Sequence, residues 1–310
     1  MLTPTQSKTA QSILNIFETG AVRGDYGNVT VIEGDTGHLT FGRSQTTLGS
    51  GNLFDLLHRY CSNHGARFAA RLQPFIARVE AKDFTLDTEH KLHNILRATA
   101  DDPVMRDTQD VFFDQVYWQR AVQAAESMGI TSALGVAIVY DGYVHGSWVK
   151  MRDRTNEKAG TLSALGEKEW LPAYVKERRA WLAGSSRSDL RATVYRMDAF
   201  QRLIDQGYWG LELPLVVRGT EISVEALVAT PPGCYDSPQP GSRILALQSP
   251  LQRGLDVRLV QLGLSDRDAD IKADGIFGQT SVKRIKEYQI RAGKPATGVA
   301  DIALIAELCA

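Results

Sequence analysis

Apolar residues recur at helical spacing almost from the start of the chain. Ala10, Ile13, Leu14 and Phe17 form one stripe behind a Thr3–Pro4 pair suited to an N-cap and a first turn. Thr19–Gly20 closes that helix. A glycine-rich stretch from Gly27 to Gly51 follows, with β-branched Val29-Thr30-Val31-Ile32 and then Leu39-Thr40-Phe41. It reads as a hairpin or small sheet. From Leu53 onward the pattern predicts helices over 53–62, 65–80, 87–99, 103–127, 131–145, 167–183 and 188–206. Four prolines and two glycines between residues 229 and 243 can continue neither a helix nor a central strand. Beyond them, three short helices are expected over 250–264, 279–292 and 301–308. The fold class is therefore mostly α (α+β), with one small antiparallel β-region. The expected domains are 1–229, a linker 230–245 and a three-helix domain 246–310.

A chain of 310 residues agrees with two domains. With 35 basic against 36 acidic residues and a formal charge of −1, bulk positive charge cannot drive nucleic-acid binding. No apolar run approaches the ~20 residues of a membrane helix, so no membrane insertion is expected. The three cysteines, Cys61, Cys234 and Cys309, are odd in number and lack a CxxC pair. That pattern fits neither a zinc site nor a disulfide framework. The N-terminus lacks a basic, then apolar, leader. The expectation is synthesis in the cytoplasm without a signal peptide.

Two carboxylates stand out. Glu18 ends the first helix, and Asp35 sits in the Gly34-Asp35-Thr36-Gly37 turn. A helix-end acid facing a sheet-borne anion is the pair a glycosidase needs. From spacing alone, a solvated side chain and a turn former are the better explanation. Glu33 competes for the base role, because residues 33 and 35 of a strand share a face. Tyr26 is a candidate sugar-stacking ring or a core plug. His38 is a candidate sugar ligand or a structural hydrogen-bonder. Arg43, Ser44, Gln45, Thr46, Thr47 and Asn52 are candidates for lining a cleft or for capping turns. Trp118, Trp148, Trp170 and Trp181 fit core positions. Asp141 with Arg178 or Arg179 is a candidate ion pair, buried or solvated.

Phe17-Glu18 followed by Asp35-x4-Thr40-x-Gly42 resembles the active-site segment of glycoside hydrolase family 46, the chitosanases of the lysozyme-like superfamily. The longer string from Tyr26-Gly27 through Gly34-Asp35-Thr36-Gly37-His38-Leu39-Thr40-Phe41-Gly42-Arg43 to Leu48 is similar to chitosanase-like muramidase domains of secretion-spike effectors and phage lysins. The resemblance implies an inverting hydrolase with Glu18 as general acid, Asp35 as general base and Thr40 helping to hold the attacking water. Substrate contacts then fall to Tyr26, Glu33, His38, Arg43 and Asn52. Glu18 must carry a proton, with Phe17 or the charge of Asp35 favouring that. Asp35 must stay ionised, through hydrogen bonds from turn amides or the Thr40 hydroxyl. Asp141-Gly142-x-x-His145-Gly146 and Glu177-Arg178-Arg179 resemble segments packed behind the site.

Val257-x-x-Val260-Gln261-x-x-Leu264, Asp274-Gly275-x-Phe277-Gly278 and Thr297-Gly298 are similar to peptidoglycan-binding domain 1. That implies a wall-binding turn at Asp274, Gly275, Phe277 and Gly278. A wall-binding module favours peptidoglycan as substrate, that is, a muramidase-type activity. Chitosan is the alternative, opposed by Arg23, Arg43 and His38 standing among Asp25, Glu33, Asp35 and Asp55. A non-catalytic wall-binding protein is the third reading. No cofactor or metal is implied. On the muramidase reading the protein reaches the cell wall, the periplasm of a target cell, through a secretion system or by lysis. An immunity protein would then be its partner.

Overall fold

The computed structural model describes residues 2–43 and 45–310. Ser44 lies outside the described residues, with Met1. The chain folds as two compact units, each built from two separate stretches. The first combines Met1–Gly24 with Phe113–Ala229, the second Asp25–Phe112 with Thr230–Ala310.

The first unit opens with the helix Pro4–Thr19. The Thr3 side chain accepts the Gln6 N–H at 3.2 Å, and the Gln6 side chain accepts the Thr3 N–H at 2.9 Å. This reciprocal cap satisfies two orphan donors. Gly20, with φ +75°, ends the helix and donates to the Ile16 carbonyl. The helix packs its Ile13–Phe17 face into a core centred on the helix Ala133–Val144. That helix is apolar nearly all round, as a central helix must be. Within it, a Cβ at residue 142 would meet the Tyr174 hydroxyl at 2.8 Å, so Gly142 is what lets the two helices approach. Trp118, Trp148 and Trp170 are buried in this core, and Trp181 is packed against it.

The expected helix 103–127 is interrupted. Pro103–Phe113 is α-helical, Asp114–Trp118 adopts a π turn, and Gln119–Met128 resumes the α-helix. Among the elements that escape the hydrophobic pattern are a helix and a hairpin. The helix Trp148–Ala159 buries only Trp148, Met151 and Thr155. The hairpin Leu215–Val217 with Thr220–Ile222 turns through Arg218 and Gly219, both at positive φ, the backbone of a tight hairpin turn.

In the second unit three two-residue strands, Val29–Thr30, Thr40–Phe41 and Thr46–Thr47, form an antiparallel sheet in chain order. The helices Asn52–Cys61, Ala69–Glu80 and His90–Thr99 follow, with a 3₁₀ turn at Phe84–Thr88. The C-terminal helices Leu255–Asp266, Gln279–Arg291 and Ile302–Cys309 enclose Val257, Val260, Leu264, Phe277, Ile285, Leu304, Ile305 and Leu308. The first of these helices packs on His90–Thr99. Asn94 ties the contact. Its amide donates to Ser265 Oγ at 2.9 Å and to the Ile271 carbonyl at 2.7 Å, and its oxygen accepts the Ala273 N–H at 2.9 Å. Buried Arg258 lies 2.8 Å from Asp101 and donates to the carbonyls of Arg97, Ala273 and Gly233. The proline-rich stretch is packed too: Cys234 lies against Tyr26 and Ala100, and the Tyr235 N–H donates to Asp101 at 2.8 Å.

Candidate active site

Glu18 stands at the exposed end of the first helix, with a buried network of charge behind it. Arg196, its side chain 3 % exposed, donates to Glu18 through Nη2 and to Asp141 Oδ1 through Nη1 at 2.7 Å. Asp141 is wholly buried and also accepts from Arg178 Nη1 at 2.5 Å. Arg178 in turn donates to Ser147 Oγ at 2.9 Å and reaches His145 Nδ1 at 3.2 Å. Burial alone would raise the Asp141 pKa, but Arg178 and Arg196 outweigh it and hold the carboxyl below the usual range. Burial lowers the His145 pKa, and the charge of Arg196 adds to that. Phe17 packs edge-on against Tyr195 and Phe200, and its carbonyl accepts the Tyr195 hydroxyl at 2.8 Å. These contacts leave the Glu18 carboxyl little freedom to wander.

Of the two arginines considered for Asp141, Arg178 forms the buried pair and Arg179 pairs with Asp198 at the surface. Arg196 was missed, although a signal existed. Position 196 is in helical phase with the apolar stripe Phe200 and Leu203, as 178 is with Leu171, Tyr174, Val175 and Leu182. An arginine on an apolar stripe must find a buried partner.

Asp35 belongs to the second unit, in the bend between the first two strands. Its N–H donates to the Ile32 carbonyl at 3.1 Å, and its carbonyl accepts the His38 N–H at 3.3 Å. A Cβ at residue 37 would lie 2.8 Å from Asp35 Oδ2, so Gly37 makes room for the carboxylate. The expected hydrogen bonds to that carboxylate do not form among the described residues. The Thr40 hydroxyl donates instead to the His38 carbonyl at 3.1 Å, and Asp35 is exposed to solvent. Glu33 is exposed in the same bend.

Two of the expected sugar contacts are buried, and a third is engaged in a hydrogen bond. Tyr26 is 1 % exposed, its hydroxyl donating to Asp110 at 2.5 Å, so its ring has no open face for a sugar. Arg43 pairs with Asp110 and also donates to the Tyr26 hydroxyl at 3.2 Å, with its side chain only 5 % exposed. His38 is a structural hydrogen-bonder, its Nδ1 lying 2.7 Å from Asp87 Oδ2. Asn52 is half-buried at the start of its helix. At the C-terminal turn, Phe277 is wholly buried in the core of the C-terminal helices. Gly275, at φ +75°, lies under the Tyr235 ring, which a Cβ would meet at 2.3 Å. Asp274 Oδ1 accepts from Gln261 and from the Ile276 N–H, and Gly278 is half-buried.

The sequence matches the profile of Glycosyl hydrolase family 46 over residues 12–215, a span that contains Glu18, Asp35, Thr40 and the whole Arg196 network. The chain belongs to glycosyl hydrolase family 46. A chitosanase of Bacillus subtilis strain 168 is 27 % identical over 231 residues, 70 % of this chain and 83 % of its own. A family 46 chitosanase of Gynuella sunshinyii, solved with chitotetraose, superposes with a TM-score of 0.58 at 25 % identity. That match covers 72 % of this chain and 99 % of that one. The native chitosanase of Bacillus subtilis MY002 shares the fold at 24 % identity, with a TM-score of 0.56 and coverage of 70 % and 96 %. Residues 253–308 match the putative peptidoglycan binding domain. This family 46 chain is therefore a glycoside hydrolase by descent, with a second recognisable module at its C-terminus.

Proposed function

We propose that this family 46 chain is an inverting glycosidase cleaving β-1,4 bonds of an amino-sugar polymer. Glu18 is the general acid, and Asp35 is the general base. The observation that carries the reading is that Glu18 and Asp35 both lie inside the family match, with Glu18 held in position by a buried arginine. Three buried charges, Arg196, Asp141 and Arg178, are costly to take out of water. Here they converge on one exposed carboxyl inside the family match. Glu18 gives its proton to the leaving glycosidic oxygen. Asp35 takes a proton from a water on the opposite face of the sugar, and that water's oxygen bonds to the anomeric carbon as the glycosidic bond breaks. The chemistry requires the two carboxyls about 6.5–9.5 Å apart so that the water fits. Thr40 spends its proton on the His38 carbonyl, leaving its oxygen to accept from that water.

Chitosan is the substrate this reading favours. The relatives carry that activity in their names, and the charges support it. Chitosan is a polycation and calls for open anionic side chains. Asp25, Glu33, Asp35 and Asp55 are exposed. The basic residues among them are engaged: Arg23 on the carbonyls of Leu227 and Ala229, Arg43 on Asp110, His38 on Asp87. Peptidoglycan is the second reading, favoured by the C-terminal match. Reducing-sugar release from chitosan beside dye release from purified sacculi separates the two. Activity on chitosan that is lost in Glu18→Gln and Asp35→Asn is the expected result. Activity confined to sacculi would select the second reading, and undiminished activity in both variants would remove the site.

A further inference from the structure

The bend that carries Asp35 has its own backbone hydrogen bonds and is also held from outside. Between Asp35 and Thr40 the chain passes through His38 at φ +56°, a left-handed conformation uncommon outside glycine. Such a residue persists where its surroundings over-determine it. Here the surroundings include one acidic side chain and one ring from outside the bend. Asp87 Oδ2 lies 2.7 Å from His38 Nδ1, and Asp87 Oδ1 accepts the Leu39 N–H at 2.8 Å. Phe84 stacks flat on the imidazole, centroids 3.6 Å apart and planes 7° from parallel. Both carboxylate oxygens of Asp87 are thus committed to His38 and Leu39, two of the four residues between the proposed base and Thr40. The 3₁₀ turn bearing Asp87 and Phe84 is fixed in its turn. Asp83 caps it by accepting the Thr85 N–H at 3.0 Å, Arg78 donates to Asp83 at 2.8 Å, and His93 Nε2 lies 2.9 Å from the Leu86 carbonyl.

We infer that Asp87 and His38 form a positioning latch that sets where Asp35 and Thr40 hold the attacking water. Neither touches the reacting atoms; both act through the bend. The inference rests on Asp35 being the general base. A latch of this kind acts on the geometry of attack, where an ångström of misplacement costs on the order of a hundredfold in rate. Sugar binding elsewhere is untouched.

The experiment is steady-state kinetics of the full chain on a soluble chitosan oligosaccharide, with Asp35→Asn run in parallel. Asp87→Ala is expected to lower kcat by roughly ten- to a hundredfold with KM within about twofold. His38→Asn is expected to recover most of the activity, because asparagine tolerates the left-handed backbone and its amide can donate to Asp87. His38→Val, β-branched and without a donor, is expected to fall with Asp87→Ala. If Asp87→Ala folds poorly, the His38→Asn and His38→Val pair decides alone: equal kcat values overturn the latch. Wild-type kcat in Asp87→Ala with Asp35→Asn inactive overturns the latch and leaves the base assignment standing. An active Asp35→Asn overturns the base assignment, and the latch with it.

Discussion

At the scale of single residues, Asp141 is the hinge of the account. It is wholly buried between Arg178 and Arg196, and through Arg196 it reaches Glu18. Removing it leaves two guanidiniums buried without their counter-charge. Asp141→Ala is expected to cost about 3–5 kcal/mol of stability, read from urea unfolding. Its pKa is held below the ordinary carboxylate value despite burial. The stability it supplies is therefore complete above about pH 4 and is lost as the pH falls through its lower folded value. A stability profile that gains no support from Asp141 on raising the pH to about 4, compared with Asp141→Asn, would contradict that linkage. Arg196→Ala frees Glu18 from its buried anchor. We expect kcat to fall at least tenfold by loss of orientation, and stability to fall as well, because Asp141 loses one of its two partners. Arg178 and Arg196 were legible in principle, since both sit on apolar stripes. The pairing of Arg178 with Asp141 was among the candidates the sequence offered, but the share of Arg196 in it was not legible, because Arg196 lies 55 residues from Asp141 in sequence.

At the scale of elements, strong periodicity was readable and weak periodicity was not. The first helix, the buried helix Ala133–Val144 and the last two C-terminal helices follow their patterns closely, while the first C-terminal helix begins at Leu255 rather than at 250, behind Gly254. The hairpin Leu215–Ile222 was hidden because strands of three residues leave too little alternation to detect. The helix Trp148–Ala159 was hidden because it buries one narrow line of side chains. The contact of His90–Thr99 with the C-terminal module could not be read from sequence either, because its polar ties, Asn94 among them, meet groups 171 to 179 residues away. Asn94→Ala leaves the Ala273 N–H and the Ile271 carbonyl buried without partners. The expected cost is about 2–3 kcal/mol, measured as a shift in the urea midpoint at constant m. A shift below about 0.5 kcal/mol would show that water replaces the amide without loss.

At the scale of the whole molecule, both units are discontinuous in sequence, which no linear reading of prolines and glycines could reveal. Residues 230–310 pack with 25–112, and buried Arg258 and Asp101 join the two stretches. A module attached only as a tether would raise local concentration at an insoluble polymer and leave soluble substrates unaffected. Truncation after residue 245 would instead uncover Asn94 and the apolar face of His90–Thr99. It is expected to lower both the melting temperature and the turnover of soluble chitosan oligosaccharides. Unchanged soluble turnover in the truncated chain would restore the tether. The central claim is the division of labour between Glu18 and Asp35, and the anomeric form of the first product tests it most directly. Proton NMR of a soluble oligosaccharide, followed from the first minutes of cleavage, is predicted to show the α-anomer appearing before mutarotation, because one water attacks the face opposite the leaving group. A first product in the β form would mean two displacements through a covalent intermediate and would contradict the account.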